Sequence, residues 1–400
     1  MIEIIATYND TPNEGISRFS YGENDKKVRE YLISLCQELG LKVRTDAVGN
    51  IFARLDGVYQ DSPVIMTGSH IDSVKNGGRF DGIAGSVCAL EAIRVMVENG
   101  YQPQSPIEIV FFAEEEGSNF DIPVMGSKLL VGKLGIDDLK TFKTAQGVSA
   151  YQVMKNAGLD PDSIDRDVIR PGQVKNMIEL HIEQSVRLNK EQHTIGIVNG
   201  IAGLRWVKYT LIGCQNHAGA TPMHLRQDPM NVAARIIAEV NSVAASVSDT
   251  LVMTAGKVDI KPNISNIIPA EAEFVLDIRD INDGNINEAV EKINHIAEIY
   301  ASDGDVSLTI EDIANSKAIK ISDKIIEEMQ RQASDLELDF ILMPSGAVHD
   351  SNYMAEVTDV GMIFVPSVDG RSHVKEEFTK WSDIKAGADL LLNTLVAISQ

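Results

Sequence analysis

The chain has 400 residues and an acidic composition, with 36 Lys and Arg against 58 Asp and Glu and a net charge of −22. A hydrophobic fraction of 44% and a charged fraction of 24% are ordinary for globular proteins and exclude a disordered chain. The acidic balance argues against nucleic acid or an anionic membrane as a partner, because both attract clustered Lys and Arg. The length favours two or three domains, or one large core with an insertion.

The start of the chain and its cysteines favour a cytoplasmic location. Residues 1–10 have no basic segment followed by a long apolar one, so we expect no secretory signal. Apolar runs such as Ile109–Ala113 are far shorter than the ~20 residues of a membrane span. Cys36, Cys88 and Cys214 are odd in number and widely spaced, which fits a reducing compartment better than a disulfide framework.

Up to about residue 181 the hydrophobic pattern predicts alternating helices and strands. The predicted elements are a helix at 25–39, a strand pair at 43–55, a strand at 63–68, a helix at 83–98, and strands at 106–113 and 177–181. The strands after residue 60 are short and mostly apolar, which is typical of strands buried on both faces. This order of elements indicates an α/β layer.

The pattern changes from about residue 207. The segment that follows predicts a βαββαβ unit, with a strand at 207–212, a helix at 228–245, strands at 251–258 and 272–278, a helix at 286–301 and a strand at 306–310. After residue 318 the earlier alternation resumes. We therefore predict a discontinuous α/β domain, residues 1–207 and 319–400, with a smaller α+β domain inserted at 208–318.

Side chains with metal-binding chemistry follow three of the predicted strands. They are His70, Asp72 and Asp81 after the first, Glu114, Glu115 and Glu116 after the second, and His181 at the end of the third. The C-terminal ends of strands in an open α/β sheet line its ligand crevice, so we expect these groups to lie together. Imidazole and carboxylate are ligands for zinc, with manganese or cobalt as alternatives, and a neighbouring carboxylate that binds no metal carries protons. The sequence therefore predicts a hydrolytic metal site.

Each of these groups also has a simpler interpretation. Three consecutive carboxylates usually mark a solvated surface, but these follow an apolar segment where like charges would repel unless cations were present. His181 alone fits a structural role as well as a ligand, and His373 and His217 alone fit ordinary loop residues. His349 fits either a partner of a ligand or a capping residue. We interpret the other histidines as surface or structural residues, namely His193, His224 and His295.

Several short motifs extend the pattern beyond the metal site. They are Gly68–Ser73, Gly77–Gly82, Glu114–Ser118, His181–Gln184, Asn216–Met223, Leu276–Arg279, Pro344–Gly346 and Ser372-His373. In this order they resemble the hydantoinase/carbamoylase family of dinuclear-metal amidohydrolases, over nearly the whole chain. That family holds N-carbamoyl-L-amino acid hydrolases, allantoate amidohydrolases and β-ureidopropionases.

The resemblance implies two divalent metal ions per subunit, zinc first, with manganese or cobalt as alternatives. One ion would be held by His70, Asp81 and His181. Asp81 would bridge to the second ion, which Glu116 and His373 would also hold. The resemblance also implies that the α/β domain is the metal domain and that the inserted domain forms a homodimer and closes over the site as a lid.

The resemblance assigns the remaining roles as well. Glu115 would be the general base and later the acid that protonates the leaving nitrogen. His217 would stabilise the oxyanion, from the partner subunit. The substrate-binding groups would be Gln184, Asn266, Arg279 and the backbone of Gly346.

Two of these roles have equally simple structural alternatives in the residues alone. Arginine is the natural bidentate partner of a carboxylate, but Arg279 fits a salt bridge with Asp277 or Asp280 as well as a substrate clamp. Asn266 is otherwise a plausible turn residue.

The chain departs from the family pattern at two positions. Val348 and Ser185 stand where the family usually has glycine, which permits unusual backbone angles. These departures concern the shape of the substrate loops and leave the metal ligands intact.

The sequence thus predicts a metal-dependent amidohydrolase that cleaves the ureido C–N bond of a small carboxylate, an N-carbamoyl-L-amino acid or allantoate. One alternative is an aminoacylase or peptidase that acts on ordinary amides, although such relatives tend to have a carboxylate where this chain has His181. A second alternative is a metal-free, inactive binding protein on the same fold, against which the intact ligand set argues.

Overall fold

The computed structural model describes residues 1–400 and divides the chain into two compact units. The first unit comprises Met1–Asn199 and Ile321–Gln400, and the second comprises Gly200–Lys320. The second unit thus begins at Gly200, whereas the apolar alternation places the boundary after residue 207. The strand itself starts at Gly203. The alternation of apolar residues becomes visible only at Val207, because Gly203 and Arg205 carry no apolar side chain.

The fold contains fifteen strands and thirteen α-helices. The strands are β1 (Lys42–Thr45), β2 (Ile51–Leu55), β3 (Val64–His70), β4 (Ile107–Phe112), β5 (Val174–Ile182), β6 (Ile195–Ile201), β7 (Gly203–Ile212), β8 (Asn216–His217), β9 (Val252–Lys261), β10 (Ile267–Ile268), β11 (Glu271–Asp280), β12 (Ser307–Ser316), β13 (Ile319–Lys320), β14 (Phe340–Ser345) and β15 (Asp359–Val365). The helices are α1 (Ile2–Ile5), α2 (Glu23–Glu38), α3 (Ile83–Glu98), α4 (Met125–Leu130), α5 (Ile136–Thr141), α6 (Ala150–Asn156), α7 (Arg187–Glu191), α8 (Pro229–Ala238), α9 (Val240–Val247), α10 (Asp283–Asp303), α11 (Asp323–Asp335), α12 (Asp350–Met354) and α13 (Trp381–Ile398).

The first unit is built on a mixed sheet with strand order β1-β2-β4-β3-β5-β15-β6, in which β14 also pairs with β6. Its central strands β4, β3, β5 and β15 are parallel. Their side chains are almost all buried, as expected for strands covered on both faces. Because the four strands are parallel, their C-terminal ends lie at one edge of the sheet.

The helices of the first unit follow from local sequence. In α2, Val28, Leu32 and Cys36 recur every four residues and form its buried face. Helix α3 is buried along most of its length and packs on β3 and β5. None of the helices of the chain combines the length and the apolarity required to cross a membrane.

The second unit is a four-stranded antiparallel sheet with order β12-β7-β11-β9. Along β11, buried and half-buried residues alternate strictly, so one face of the sheet lies in a core. Helices α8, α9 and α10 cover that face and pack on Tyr209 and Phe274, which stack on each other. The opposite face carries Trp206, which is partly exposed.

The single helix expected over 228–245 is two helices, α8 and α9, which meet at Glu239. The N–H of Glu239 donates to the carbonyl of Ile236, three residues back, which tightens the chain at that point. Both helices keep an apolar face on the same core, so periodicity alone cannot detect the break. The start of α8 is as expected, with Asp228 capping the N–H of Asn231 and Pro229 in the first turn.

Candidate metal centre and active site

The parallel strands bring the five predicted metal ligands together in the first unit. His70 ends β3 and His181 is the second-last residue of β5. Asp81 lies in the loop between β3 and α3, Glu116 follows β4, and His373 lies between β15 and α13. Within two groups of three, each residue offers a donor atom within 4.8 Å of the others: His70, Asp81 and His181, and Asp81, Glu116 and His373.

In the first group, the two histidines direct their Nε2 atoms at each other and at Asp81. Nε2 of His181 is 3.2 Å from Asp81 Oδ1, and Nε2 of His70 is 3.6 Å from that oxygen and 3.5 Å from Nε2 of His181. The Nδ1 atom of each histidine faces a carbonyl oxygen, that of Asp72 for His70 and that of Ile182 for His181. A carbonyl only accepts hydrogen bonds, so Nδ1 carries a hydrogen and Nε2 is the atom of the neutral ring that can bind a cation. Two such nitrogens and a carboxylate oxygen therefore converge on one place.

The second group uses the other oxygen of Asp81. Asp81 Oδ2 is 3.3 Å from Nε2 of His373, which is 3.5 Å from Glu116 Oε2. One carboxylate thus faces His70 and His181 with one oxygen and His373 with the other. This is the placement required of a ligand that bridges two cations.

The donor spacing fits divalent ions. Four ligand atoms at 2.0–2.1 Å around a tetrahedral zinc ion lie about 3.4 Å apart, which is close to the 3.2–3.6 Å observed. Asp81 Oδ1 and Glu116 Oε1 are moreover buried without a hydrogen-bond donor. Buried carboxylate oxygens are normally paired, so these two atoms also point to a cation.

The candidate base Glu115 lies beside this cluster. Its Oε2 is 3.7 Å from Nε2 of His70, and the residue is only 7% exposed. Burial raises the pKa of Glu115 well above its ordinary value, and the Glu116 carboxylate adds to this. Burial likewise raises the pKa of Glu116 to about 8, with a further contribution from Asp81. A carboxyl that holds its proton this readily is suited to accepting one during catalysis.

Asp72 has a role that sequence reasoning did not assign. It is fully buried, and its two oxygens accept the N–H groups of Glu115 and Glu116, each at 3.1 Å. Its Oδ1 also lies 3.7 Å from Nδ1 of His70. Asp72 therefore fixes the loop that carries the candidate base to the loop that carries a candidate ligand. The only feature of the sequence that could have indicated this role is the position of Asp72 two residues after His70.

Several residues of the site adopt left-handed backbone conformations that are uncommon outside glycine. Glu114, Gln184 and His373 have φ values of 54°, 58° and 60°. At Gly82, with φ of 65°, a Cβ would lie 2.4 Å from the His70 ring, so a side chain there would displace the histidine. Such conformations cluster at functional sites, where the surrounding structure enforces them.

The two departures from the family pattern leave the backbone ordinary. Neither Ser185 nor Val348 has a positive φ, and the left-handed residue of the first loop is Gln184 itself. The chain therefore requires no glycine at either position.

Two predicted substrate-binding groups of the first unit have different surroundings. Gln184 donates from Nε2 to Asp81 Oδ2 at 2.9 Å and so lies at the ligand cluster. Gly346 follows β14, and a Cβ there would meet no atom within 4 Å.

His349 lies in the same loop as Gly346 and is the N-cap of α12. It contacts the His181 ring edge-on, with ring centroids 4.6 Å apart. Burial lowers the pKa of His349, which keeps it neutral.

In the second unit, the structure brings His217 and Asn266 together. Strands β8 and β10 pair His217 with Ile267, and the N–H of Ala218 donates to the Asn266 carbonyl. Nδ1 of His217 accepts the N–H groups of Gly219 and Ala220 at 3.0 and 3.1 Å. Since Nδ1 accepts in these bonds, Nε2 is the ring nitrogen that carries the hydrogen.

Arg279 lies on the face of the second unit's sheet opposite the helices. It forms a bidentate pair with Asp277, from Nε to Oδ1 at 2.8 Å and from Nη2 to Oδ2 at 2.9 Å. Of the two salt bridges considered from sequence, the one with Asp277 is therefore present, and Asp280 accepts hydrogen bonds from Thr250 and Asn282. The pair holds the guanidinium in one orientation.

Comparisons with known proteins agree with this geometry. The profile of peptidase family M20/M25/M40 matches residues 66–397. The N-carbamoyl-L-amino acid amidohydrolase of Geobacillus stearothermophilus is 39% identical over 97% of this chain and 95% of its own. The allantoate amidohydrolase of Escherichia coli K12 is 31% identical over 97% and 94%. A crystal structure of a hydantoinase/carbamoylase family amidase from Burkholderia multivorans superposes with a TM-score of 0.93 at 31% identity, covering 99% of this chain and 95% of that one.

The family match spans most of the chain and includes the strand ends that carry the candidate ligands. The identities to amidohydrolases extend over nearly its full length. The chain therefore belongs to peptidase family M20/M25/M40 and, as its motifs indicate, to the hydantoinase/carbamoylase amidases.

Proposed function

We propose that the protein is a metal-dependent amidohydrolase that cleaves the ureido C–N bond of an N-carbamoyl-L-amino acid, with allantoate as the alternative substrate. The observation that carries this proposal is the position of Asp81, whose two oxygens face two separate sets of histidine and carboxylate donors. The names of the relatives support the substrate class, and the higher identity to an N-carbamoyl-L-amino acid amidohydrolase sets the order of the two substrates.

The residues present fit two divalent ions. His70, Asp81 and His181 would hold one ion, and Asp81, Glu116 and His373 the other. The mixture of imidazole and carboxylate donors favours zinc, with manganese or cobalt as alternatives. Bound there, the ions lower the pKa of a water molecule and polarise the substrate carbonyl.

Glu115 moves the protons of the reaction. It accepts a proton as the water oxygen bonds to the ureido carbon and passes it to the nitrogen of the amino acid, whose bond to that carbon breaks. The products are the amino acid and a carbamate, which decomposes to ammonia and CO₂. The raised pKa of Glu115 supports this role, because burial and the Glu116 carboxylate both favour its protonated form.

Residues of both units supply the remaining groups. His217, held as the Nε2–H tautomer, donates to the oxyanion that develops on the carbonyl. Arg279 and Asn266 bind the substrate carboxylate, and Gln184 and the Gly346 backbone contact the rest of the substrate. In this proposal the second unit is a dimerisation and lid domain, and His217 serves the site of the partner subunit.

A substrate panel tests the reaction. Metal-loaded protein is given N-carbamoyl-L-amino acids, allantoate, N-carbamoyl-β-alanine and an N-acetyl amino acid, while ammonia and free amine are measured together. We expect equal release of ammonia and amino acid from N-carbamoyl-L-amino acids, and release of both products slowed about 10²- to 10⁴-fold in metal-loaded Glu115→Gln. Cleavage of the N-acetyl compound alone would make the protein an aminoacylase, and no turnover of any compound would remove the enzymatic proposal.

Mixed dimers test whether His217 acts in the partner's site. Glu115→Gln and His217→Ala are each expected to be nearly inactive alone. If His217 acts across the dimer, mixed dimers contain one complete site, and random mixing of two-fold dimers restores about a quarter of wild-type activity. Absence of restoration, with mixed dimers shown to form, would place His217 in the site of its own subunit.

A further inference from the structure

A buried carboxylate outside the predicted ligand set contacts the backbone of the bridging ligand. Glu377 is only 3% exposed, although it lies in a loop between β15 and α13. Its Oε1 accepts the N–H of Phe80 at 2.9 Å and that of Asp81 at 3.0 Å. The orientation of Asp81 is thus set by a residue 296 positions away in the sequence.

The second oxygen of Glu377 extends the contact to the other ligand loop. The Ser372 hydroxyl lies 3.1 Å from Glu377 Oε2 and 2.7 Å from Asp81 Oδ2. Ser372 directly precedes His373. Glu377 and Ser372 therefore tie the backbone and the side chain of Asp81 to the segment that carries His373.

The fold leaves room for Glu377 by omitting a neighbouring side chain. A Cβ on Gly78 would lie 2.1 Å from the carboxyl carbon of Glu377. On the other side, the Phe80 ring packs against Phe378 and Trp381, with ring centroids 5.6 and 5.4 Å apart. The carboxylate is therefore confined to one position, from which an alanine at residue 78 would displace it.

The two candidate ion positions depend on this contact to different degrees. At the first, His70 and His181 belong to strands and are oriented by the carbonyls of Asp72 and Ile182. At the second, Asp81 and His373 both lie in loops. The hydrogen bonds of Glu377 and Ser372 hold Asp81 and His373 in position relative to each other.

We propose that Glu377 is a positioning residue that sets the affinity of the second ion position, formed by Asp81, Glu116 and His373, with a much smaller effect on the first. The inference rests on the ligand set of the proposed function. Loss of a partner that orients a metal ligand typically costs about 10- to 100-fold in metal affinity. In this protein the loss falls on one of two neighbouring ions.

Zinc titration of metal-free protein tests the proposal. Binding is followed by calorimetry, and the bound ions are counted by atomic emission after gel filtration. We expect two ions for the wild type. For Glu377→Ala we expect one ion at wild-type affinity and a second ion weakened about 10- to 100-fold.

Two further variants separate positioning from charge and from general destabilisation. In Glu377→Gln, the amide oxygen can still accept both N–H groups and the amide nitrogen can donate to Ser372, so two ions should bind as in the wild type. Gly78→Ala keeps the carboxylate but displaces it, so it should weaken the second ion as Glu377→Ala does. Glu376→Ala, an equal change at an exposed neighbour, is the matched control and should bind two ions.

The outcomes distinguish this inference from the proposed function. A wild type that binds no zinc contradicts the ligand set itself. A wild type with two ions, together with Glu377→Ala and Gly78→Ala variants that bind both ions unchanged or lose both equally, overturns the role of Glu377 alone. Far-ultraviolet circular dichroism establishes that each variant is folded, and if Glu377→Ala does not fold, Gly78→Ala decides.

Discussion

The two units place their candidate functional residues in opposite environments. In the first unit, His70, Asp81 and His181 are buried, and Nε2 of each histidine and Oδ1 of Asp81 lie 3.2 to 3.6 Å apart. In the second unit, His217 is exposed and Arg279 half-buried, and both are satisfied by local bonds from Gly219, Ala220 and Asp277. The first arrangement leaves buried oxygens of Asp81 and Glu116 without a hydrogen-bond donor, whereas in the second the side chains already have local partners.

This contrast separates two functions. A buried cluster of carboxylates is suited to binding cations, because the cations offset the repulsion among the carboxylates. Exposed side chains that are already held in one orientation lose little conformational entropy when a substrate binds, and they present hydrogen-bond donors to it. Changes to the candidate ligands of the first unit should therefore alter metal content, and changes in the second should alter kinetics with metal content unchanged.

The largest effect is expected for Asp81→Ala, which removes the carboxylate shared by both ion positions. The affinity for both ions should fall. The decrease should exceed the one that follows loss of a residue that only orients a metal ligand, which is about 10- to 100-fold. Activity should fall to background. Metal analysis and turnover check this, with the exposed Asp61→Ala as control. Two ions retained in Asp81→Ala would contradict the bridging role.

Glu115→Gln should separate chemistry from metal binding within the first unit. The amide cannot accept the proton, so kcat should fall about 10²- to 10⁴-fold while both ions remain bound. Steady-state kinetics and metal analysis of one preparation measure both quantities. Loss of an ion would instead make Glu115 a ligand, a role that its distance of 3.7 Å from Nε2 of His70 also permits.

Arg279→Ala should affect substrate binding and leave the metal content unchanged. Loss of charge-assisted bonds worth about 1.5–3 kcal/mol corresponds to a rise in KM of about 10- to 100-fold. Arg205→Ala is the matched control, because Arg205 forms an equally bidentate pair, with Asp312, on the helix-covered side of the same sheet. A similar KM for Arg279→Ala and wild type, or an equal rise in Arg205→Ala, would refute the clamp.

The smallest effect is expected from thiol modification, which compares the units without mutation. Cys36 and Cys88 of the first unit are buried, and burial raises the pKa of each to about 12. Cys214 of the second unit is exposed. A disulfide reagent should modify one thiol in the folded protein and three in denaturant, since the thiolate is the reactive form. Rapid reaction of two or three thiols in the folded protein would contradict this burial.

The sequence predicted most of the elements because their signals are local. The strands that end at His70 and Phe112 and the helix from Ile83 to Glu98 were expected close to their observed limits. The break at Glu239 was missed because a tightened turn keeps the apolar face of the helix aligned. Strand β6 was missed because Ile195–Ile201 carries two glycines within a short segment.

By itself, the sequence determined which chemical groups are present, the order in which strands deliver them, and the family to which the chain belongs. Periodicity, caps and motifs involve residues within a few positions of one another, so they can be recognised before folding. Only the tertiary structure decided that Asp81 turns one oxygen to each side, that Asp72 connects two loops, and that Glu377 orients the bridging ligand. These relations join residues separated by 43 to 296 positions and exist only once the parallel strands bring their ends to one edge.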